Sequence, residues 1–145
     1  MIRRARVDDA VHIWHITCES LGYDAELSVV ERQLSKLVGD PHYLTLVYVE
    51  EESDEVVAFI HAERYETLHS AAGWDVINLA VTPSRQGRGV GRCLLARFEE
   101  EARQRDGKYV RLNSRMEREG AHAFYQHVGY VGDKVQRHFV KRLDA

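Results

Sequence analysis

The sequence predicts a mixed α/β sandwich, and three observations carry that prediction. Short apolar runs typical of strands alternate with stretches in which apolar residues recur every three or four positions, as on amphipathic helices. Glycine, proline and aspartate stand at the boundaries between these stretches. The length of 145 residues suits a single domain over 1–145 that buries its own core without staples.

The first half of the chain predicts a strand, two helices and a hairpin. An arginine-rich, weakly alternating start suits an edge strand with one solvated face. Asp8 and Asp24 are placed to cap the two helices. The first helix is expected to bury Ile13, Trp14, Thr17 and Leu21. The expected ranges are a strand over 2–7, helices over about 9–21 and about 25–38, and strands over 43–49 and 56–65.

The second half is organised around the stretch 76–102. An apolar run predicts a strand, Thr82-Pro83-Ser84 ends it, and a glycine-rich turn leads into a helix. That helix is expected to bury Val90, Leu94, Leu95, Phe98 and Ala102. Beyond it, the pattern predicts a strand over 108–113, a helix over 117–128 and a last strand over 136–142.

The glycine-rich turn predicts an anion site. Glycine recurs at every second position, and residues without Cβ tolerate positive φ and the close approach of another molecule. The helix that follows presents free N–H groups and the positive end of its dipole. Three cations surround the turn and would repel one another unless something neutralises them. The glycines are Gly87, Gly89 and Gly91, and the cations are Arg85, Arg88 and Arg92.

The spacing of the glycines in the turn limits which phosphate ligands are possible. A nucleoside-triphosphate loop requires Lys and then Ser or Thr after its last glycine, where this chain has Arg92 and Cys93. A dinucleotide loop requires Gly-x-Gly-x-x-Gly, and this turn reads Gly-x-Gly-x-Gly. Gln-x-x-Gly-x-Gly, which begins at Gln86, instead resembles the pyrophosphate loop of the GCN5-related N-acetyltransferases.

A second motif carries the same resemblance. Ala123-Phe124-Tyr125 followed by Gly129-Tyr130 is similar to the late helix and turn of that family, and the order of elements agrees from end to end. The chain is identified as a member on these grounds. The resemblance implies the acyl-CoA N-acyltransferase fold, in which helices flank both faces of a mixed, mostly antiparallel central sheet. It also implies acetyl-CoA as the acetyl donor, and a homodimer.

The resemblance further implies the residues of the cofactor site. The backbone of Leu79 and Val81, on either side of Ala80, pairs with the pantetheine arm where the fourth and fifth strands separate. The amide of Val81 donates to the thioester oxygen, where negative charge develops. Tyr125 protonates the departing thiolate, and Asn113 contacts the arm or a bound water. The pyrophosphate is held by Gln86, Gly87, Arg88, Gly89, Val90, Gly91 and Arg92.

The general base stays open at this point. A primary amine is mostly protonated at neutral pH and loses a proton before it attacks. Asp75 matches the position of a glutamate in some family members, and period two places it on the face of Leu79 and Val81. Being one methylene shorter than glutamate, it would work through water. Asn78 is expected on the opposite face, and His61 and Glu63 are rival bases.

The acceptor is expected to be a small cationic amine, polyamine-like or amino-sugar-like. In the family, the first two helices, their loop and the hairpin build the acceptor pocket, and here they offer carboxylates beside aromatic rings, which suit an ammonium group. The alternatives are a protein or peptide amine, a non-catalytic acetyl-CoA sensor, and a nucleotide-binding protein. The residues concerned are Tyr23, Asp24, Glu26, Tyr65, Glu66, His69 and Trp74.

Composition excludes several other classes. A formal net charge of −3 argues against a nucleic-acid binder, and the sequence has no signal peptide or membrane span. Cys18 and Cys93 lie far apart in helical patterns, so a reduced, cytoplasmic setting is expected, with Cys93 as a small core residue. The eight histidines form no metal-ligand pattern, so no metal is expected.

Overall fold

The computed structural model describes residues 1–144. The chain forms two compact units, one from Met1 to Asn113 and one from Ser114 onward, and each is described by itself. The sequence-based assignment of a single domain over 1–145 stays a prediction.

The first unit is built on a five-stranded sheet whose spatial order follows the chain. Strands β1 to β4 pair antiparallel, and β5 pairs parallel with β4. This confirms the mixed, mostly antiparallel sheet. The strands are β1 (Ile2–Arg4), β2 (Tyr43–Val49), β3 (Val56–Tyr65), β4 (Gly73–Val81) and β5 (Val110–Leu112).

Helices cover both faces of the sheet. On one face α1 packs against β3 and β4, and α2 packs against α1. On the other face α3 packs against β2, β3 and β4. In the second unit, α4 is Glu119–His127. The helices of the first unit are α1 (Ala10–Leu21), α2 (Leu27–Leu37) and α3 (Val90–Gln104).

Alternation along the strands produces two apolar layers. Phe59 pairs with Val47 and Ala80, and these three share a buried cluster with Ile13 and Ile16 of α1. The other face carries a second layer under α3, formed by Leu94, Leu95, Phe98, Ala102 and Trp74, where the rings of Trp74 and Phe98 meet edge to face. The expected inner face of α3 is confirmed. That of α1 is only partly right, because Ile13 is buried together with Ala10 and Ile16, whereas the expected Trp14, Thr17 and Leu21 are half-buried.

The sequence suggested that Asp8 caps α1, but Asp9 holds the start of this helix. The Asp9 carboxylate accepts hydrogen bonds from the Arg6 amide at 2.7 Å and from the Arg3 guanidinium at 2.8 and 2.9 Å. It closes a 3-10 turn over Val7–Asp9 that leads into the helix. Burial opposes the charge, but the Arg3 and Arg6 hydrogen bonds outweigh it and lower the pKa of Asp9.

The predicted last strand over 136–142 is wrong. Residues 129–144 contain no strand, and Phe139, Val140 and Leu143 are exposed. A strand needs a neighbour for its N–H and C=O groups. Within the described part of the second unit the only regular element is α4, which offers no such neighbour. Between residues 1 and 144, no helix is both long and apolar enough to cross a membrane.

Candidate active site

Strand β4 contains a bulge at Ile77. Its neighbour Val76 pairs with Ala62 of β3, yet Asn78 pairs with His61, so Ile77 is an extra residue on β4. The bulge places Asp75 and Asn78 on the same face of the sheet, toward α1. The prediction that Asp75 shares a face with Leu79 and Val81 is therefore wrong, because simple alternation does not continue through the extra residue.

Beyond the bulge, β4 has an open edge. Its pairing with β5 ends at Val76 and Leu112, while β4 continues to Val81. The amide of Thr82 donates to Val57 on β3. Because residues of an antiparallel ladder turn their backbone groups alternately toward and away from one neighbour, Leu79 and Val81 turn theirs toward the open edge. Ala80 turns its backbone to β3 and buries its side chain in the core.

The carbonyl of Val81 is fixed from two sides. The hydroxyl of Ser20, at the end of α1, donates to it at 2.7 Å, and the side-chain amide of Gln86 donates to it at 2.9 Å. These bonds tie the open edge of β4 to α1 and to the glycine-rich turn. Ser20 was not singled out from the sequence, since its partner lies 61 residues away.

The glycine-rich turn adopts the backbone that its composition predicts at two of three positions. Gly87 and Gly89 have φ of +77° and +82°, values that a Cβ disfavours. A Cβ at either residue would meet open space, so the surface beside the turn is accessible. Gly89 is the N-cap of α3, and Gly91 lies in the first turn of that helix, whose free amides face outward.

Only two of the three nearby arginines are open to a ligand. Arg88 and Arg92 are exposed. Arg85 instead donates through two nitrogens to the carboxylate of Glu50, in the turn between β2 and β3. The Arg85 hydrogen bond lowers the pKa of Glu50 to about 2, and Arg88 adds a smaller electrostatic contribution. The repulsion expected among three arginines is thus relieved partly within the protein.

Charged groups gather on the α1 face of the sheet, next to the point where β4 and β5 separate. Asp75 accepts a hydrogen bond from Arg111 of β5 at 2.9 Å and pairs across the strands with Glu63. Arg111 also lies over the Tyr65 ring, 4.4 Å from its centroid. Burial and, less strongly, Glu63 raise the pKa of Asp75, although Arg111 opposes the shift. Arg111 was missed because nothing in its local sequence marks it.

The same face carries a half-buried histidine, His61. His61 Nδ1 lies 2.7 Å from the hydroxyl of Thr45, and its ring stacks on Tyr43 at a centroid distance of 5.7 Å. Burial lowers the pKa of His61, and the charge of Glu63 opposes the shift. Glu63 itself lies 3.8 Å from His42. Thr45 could have been noticed as the one polar residue inside the apolar strand β2.

The residues expected to form the acceptor pocket divide into two groups. Tyr23, Asp24 and Glu26 lie exposed between α1 and α2. Trp74 is only 1% exposed and packs under α3. It is the neighbour of Asp75 on β4, and adjacent residues of a strand point to opposite faces of the sheet. Its expected place beside the acceptor is therefore wrong.

The remaining predicted residues lie at the end of β5 and in the second unit. Asn113 follows β5 and is exposed. Tyr125 belongs to α4, where its ring meets Phe124 and Tyr130, and burial raises the pKa of its phenol. Cys93 lies on the exposed side of α3, so its prediction as a core residue is wrong. Residues 1–144 contain no cluster of three or more potential metal ligands.

The sequence profile of the acetyltransferase (GNAT) family matches residues 8–130. The chain belongs to this family. It is 30% identical over 142 residues to the aminoalkylphosphonate N-acetyltransferase of Salmonella typhimurium, an alignment that covers 95% of this chain and 86% of that protein. The protein is therefore a GNAT N-acetyltransferase.

Solved structures agree on the GNAT fold. The aminoglycoside 6'-N-acetyltransferase AAC(6')-Ih of Acinetobacter baumannii superposes with a TM-score of 0.84 at 16% identity, covering 99% of this chain and 98% of its own. Aminoglycoside N-acetyltransferase AAC(6')-Iy in complex with CoA reaches 0.86 at 14% identity, covering 98% and 94%. At these identities the likeness concerns the fold.

Proposed function

We propose that this GNAT enzyme moves the acetyl group of acetyl-CoA directly to the primary amine of a small cationic acceptor. The observation that carries the proposal is the path along β4. The strand leaves β5 after Val76, runs with an open edge to Val81 and ends at a glycine turn that caps α3. An extended arm ending in a pyrophosphate matches that sequence of an open edge and an anion site.

The residues present fit such a ligand. Leu79 and Val81 direct backbone groups to the open edge, and Gly87 and Gly89 leave their outer surface free. Arg88 and Arg92 supply exposed positive charge, as do the amides at the start of α3. Gln86 is held by Val81 and frames the turn. Acetyl-CoA, when bound, supplies the acetyl group as a reactive thioester.

The chain's own groups then have separate tasks. The Val81 amide is aimed along the open edge, where it stabilises charge on the thioester oxygen. Tyr125 gives a proton to the departing thiolate. A phenol is protonated at neutral pH, and burial raises the pKa of Tyr125 further. Asn113 orders the arm or a water. The groups that pair with the cationic acceptor or take up its proton are Asp75, Glu63 and His61.

The acceptor side supports an amine. Asp75 and Glu63 place two carboxylates next to the separation of β4 and β5, and ammonium groups pair with carboxylates. Polyamine-like and amino-sugar-like acceptors match this charge. A second candidate is a small amine that also carries an anionic group such as a phosphonate, favoured by Arg111 on the same face and by the activity named for the Salmonella relative.

The test is thiol release from acetyl-CoA across polyamines, amino sugars, aminoalkylphosphonates, amino acids and lysine peptides. We expect one class of small amine to accelerate release, with product confirmed by mass. Tyr125→Phe should slow turnover about 10- to 100-fold, while Tyr48→Phe on β2 serves as the matched control.

Three outcomes would contradict the proposal. Faster acetylation of peptides than of every small amine would make the acceptor a protein. Tight acetyl-CoA binding without release for any amine would indicate a sensor, and displacement of acetyl-CoA by equal ATP would indicate a nucleotide site. Cytoplasmic location and the homodimer stay predictions, tested by fractionation and by light scattering.

A further inference from the structure

The candidate bases Asp75, Glu63 and His61 lie on the α1 face of the sheet and differ in the contacts that they already make. Asp75 is engaged by Arg111 at 2.9 Å, so its negative charge is partly neutralised. Glu63 is about one third exposed and lies near His42, where solvent screens it. His61 is different, because it is half-buried, carries no ion pair, and has one ring nitrogen held by Thr45 while the other has no hydrogen bond to the described residues.

We propose that His61 is the general base of the proposed acetyl transfer and that Thr45 is its positioning residue. The Thr45 hydroxyl lies 2.7 Å from Nδ1. In this assignment Nδ1–H donates to that hydroxyl, and the lone pair of Nε2 is left for the substrate. The inference rests on the proposed function and names the base that the sequence left open among Asp75, Glu63 and His61.

Two contacts fix the imidazole, one with Thr45 and one with Tyr43. Thr45 is 9% exposed and sits between Leu44 and Leu46, which are 3% and 1% exposed, so its hydroxyl needs a partner within the protein. His61 is that partner. The Tyr43 ring lies nearly parallel to the imidazole, with an interplanar angle of 8°, and restricts its rotation. The ring is therefore oriented before substrate binds.

The location of His61 connects it to the reaction. His61 pairs directly with Asn78, and Asn78 lies just beyond Val76, the last residue of β4 that pairs with β5. Paired residues on neighbouring strands have Cβ atoms about 5 Å apart. The bulge at Ile77 turns Asn78 to the face of His61, so the imidazole stands one strand away from the opening between β4 and β5.

The proton balance requires only a weak base. The acceptor reacts as the free amine, after its ammonium group has lost a proton to solvent, and its nitrogen becomes acidic as the N–C bond forms. The C–S bond breaks in the same transfer. Nε2 takes the proton from nitrogen and passes it to water, while the thiolate takes a proton from Tyr125, and the Tyr125 phenolate recovers a proton from water. Asp75 and Glu63 keep their charge throughout and hold the acceptor.

The first measurement is the tautomer of His61, by ¹⁵N NMR of the unaltered protein at pH 7.5. A protonated Nδ1 and an unprotonated Nε2 are expected, and Thr45→Val should abolish this preference. The opposite tautomer, with the proton on Nε2, overturns the proposal, because that nitrogen would then have no lone pair to accept a proton.

The second measurement is amine-dependent thiol release. His61→Gln should lower kcat about 100-fold and Thr45→Val about 10-fold, with the KM for acetyl-CoA unchanged. Thr45→Ser should restore kcat, and imidazole should rescue His61→Ala. His15→Gln on the exposed side of α1 is the control, and thermal unfolding verifies that each variant is folded.

The outcomes separate the two proposals. Full activity of His61→Gln beside an active wild type overturns the assignment of the base and leaves the proposed function intact. Absence of amine-dependent release by the wild type overturns both. A loss of kcat in His61→Ala that imidazole does not rescue, with Thr45→Ser as slow as Thr45→Val, assigns both residues to packing and overturns the inference.

Discussion

Arg85 and Glu50 form a two-point ion pair that joins the turn before α3 to the turn between β2 and β3. The residues are 35 positions apart, and each side chain is less than one third exposed. The pair anchors the loop that begins at Thr82 to a hairpin of the sheet.

Loss of this anchor should weaken acetyl-CoA binding. Glu50→Gln removes the charge but keeps the size, so the loop loses part of its restraint. We expect the KM for acetyl-CoA to rise about 2- to 5-fold with kcat unchanged, in initial-rate measurements. Glu52→Gln, in the same turn and exposed, is the control. An equal fall in kcat would contradict an anchoring role.

A side chain at Gly89 should destabilise the start of α3. The Cβ meets no neighbour, but φ of +82° costs an L-residue about 1–2 kcal/mol. Gly89→Ala should lower the free energy of unfolding by that amount and weaken acetyl-CoA binding. Gly39→Ala, where a Cβ also meets open space and no positive φ is required, should change neither. Equal effects of the two substitutions would exclude backbone strain as the cause.

Asp9 should make stability depend on acid pH. Its folded pKa is lowered from 3.8, so its contribution is fully present above pH 3.8 and is lost as pH falls through the folded pKa. Asp9→Asn should cost about 1–3 kcal/mol at pH 7 in urea unfolding, and the difference should shrink below pH 3.8. The exposed Asp8→Asn is the control. A cost that persists undiminished at pH 2 would show that ionisation is not its source.

The pH dependence of kcat should report His61. Its pKa is lowered from 6.5 by burial, so the ring stays neutral down to pH 6.5 and gains a proton only below that. With saturating amine, kcat should fall on the acid side below pH 6.5, and His61→Gln should lack that fall. Glu63, Asp75 and Tyr43 share this face of the sheet, and His42 lies 3.8 Å from Glu63. An unchanged acid limb in His61→Gln would assign the fall to one of these groups.

Trp74 should affect stability and not acceptor choice. It is 1% exposed under α3, against Phe98. Trp74→Phe should lower the free energy of unfolding by about 1–3 kcal/mol and leave the order of preferred amines unchanged. Arg111→Lys, beside Asp75 on the α1 face of the sheet, should change that order without a comparable loss of stability. A changed order in Trp74→Phe would return this residue to the acceptor site.

Local patterns were enough to predict most of the fold. The buried face of α3 follows from spacing alone, and the turn at Gly87 and Gly89 follows from composition. The last strand failed because a strand depends on a distant neighbour, which no local pattern encodes. The prediction that Cys93 is a core residue failed because Cys93 is next to the apolar stripe of α3, and a shift of one residue on a helix changes buried to exposed.

The site was harder to predict than the fold, for a related reason. Thr45 meets His61, Arg111 meets Asp75 and Ser20 meets Val81 only after the strands and α1 have assembled. Alternation also placed Asp75 on the wrong face, because the extra residue at position 77 reverses the phase of the strand. Candidate residues can be named from sequence, but their partners come from the folded arrangement.

The extra residue in β4 divides that strand into two independently variable halves. Under the proposed function, residues 78–81 carry the backbone that binds the donor, and residues 73–76 carry the side chains that face the acceptor or the core. The alternation of side chains starts again after Ile77, so residues 73–76 can be substituted without changing the strand pairing of residues 78–81. Selection can therefore retune which amine is acetylated while the part that handles a shared donor is inherited unchanged.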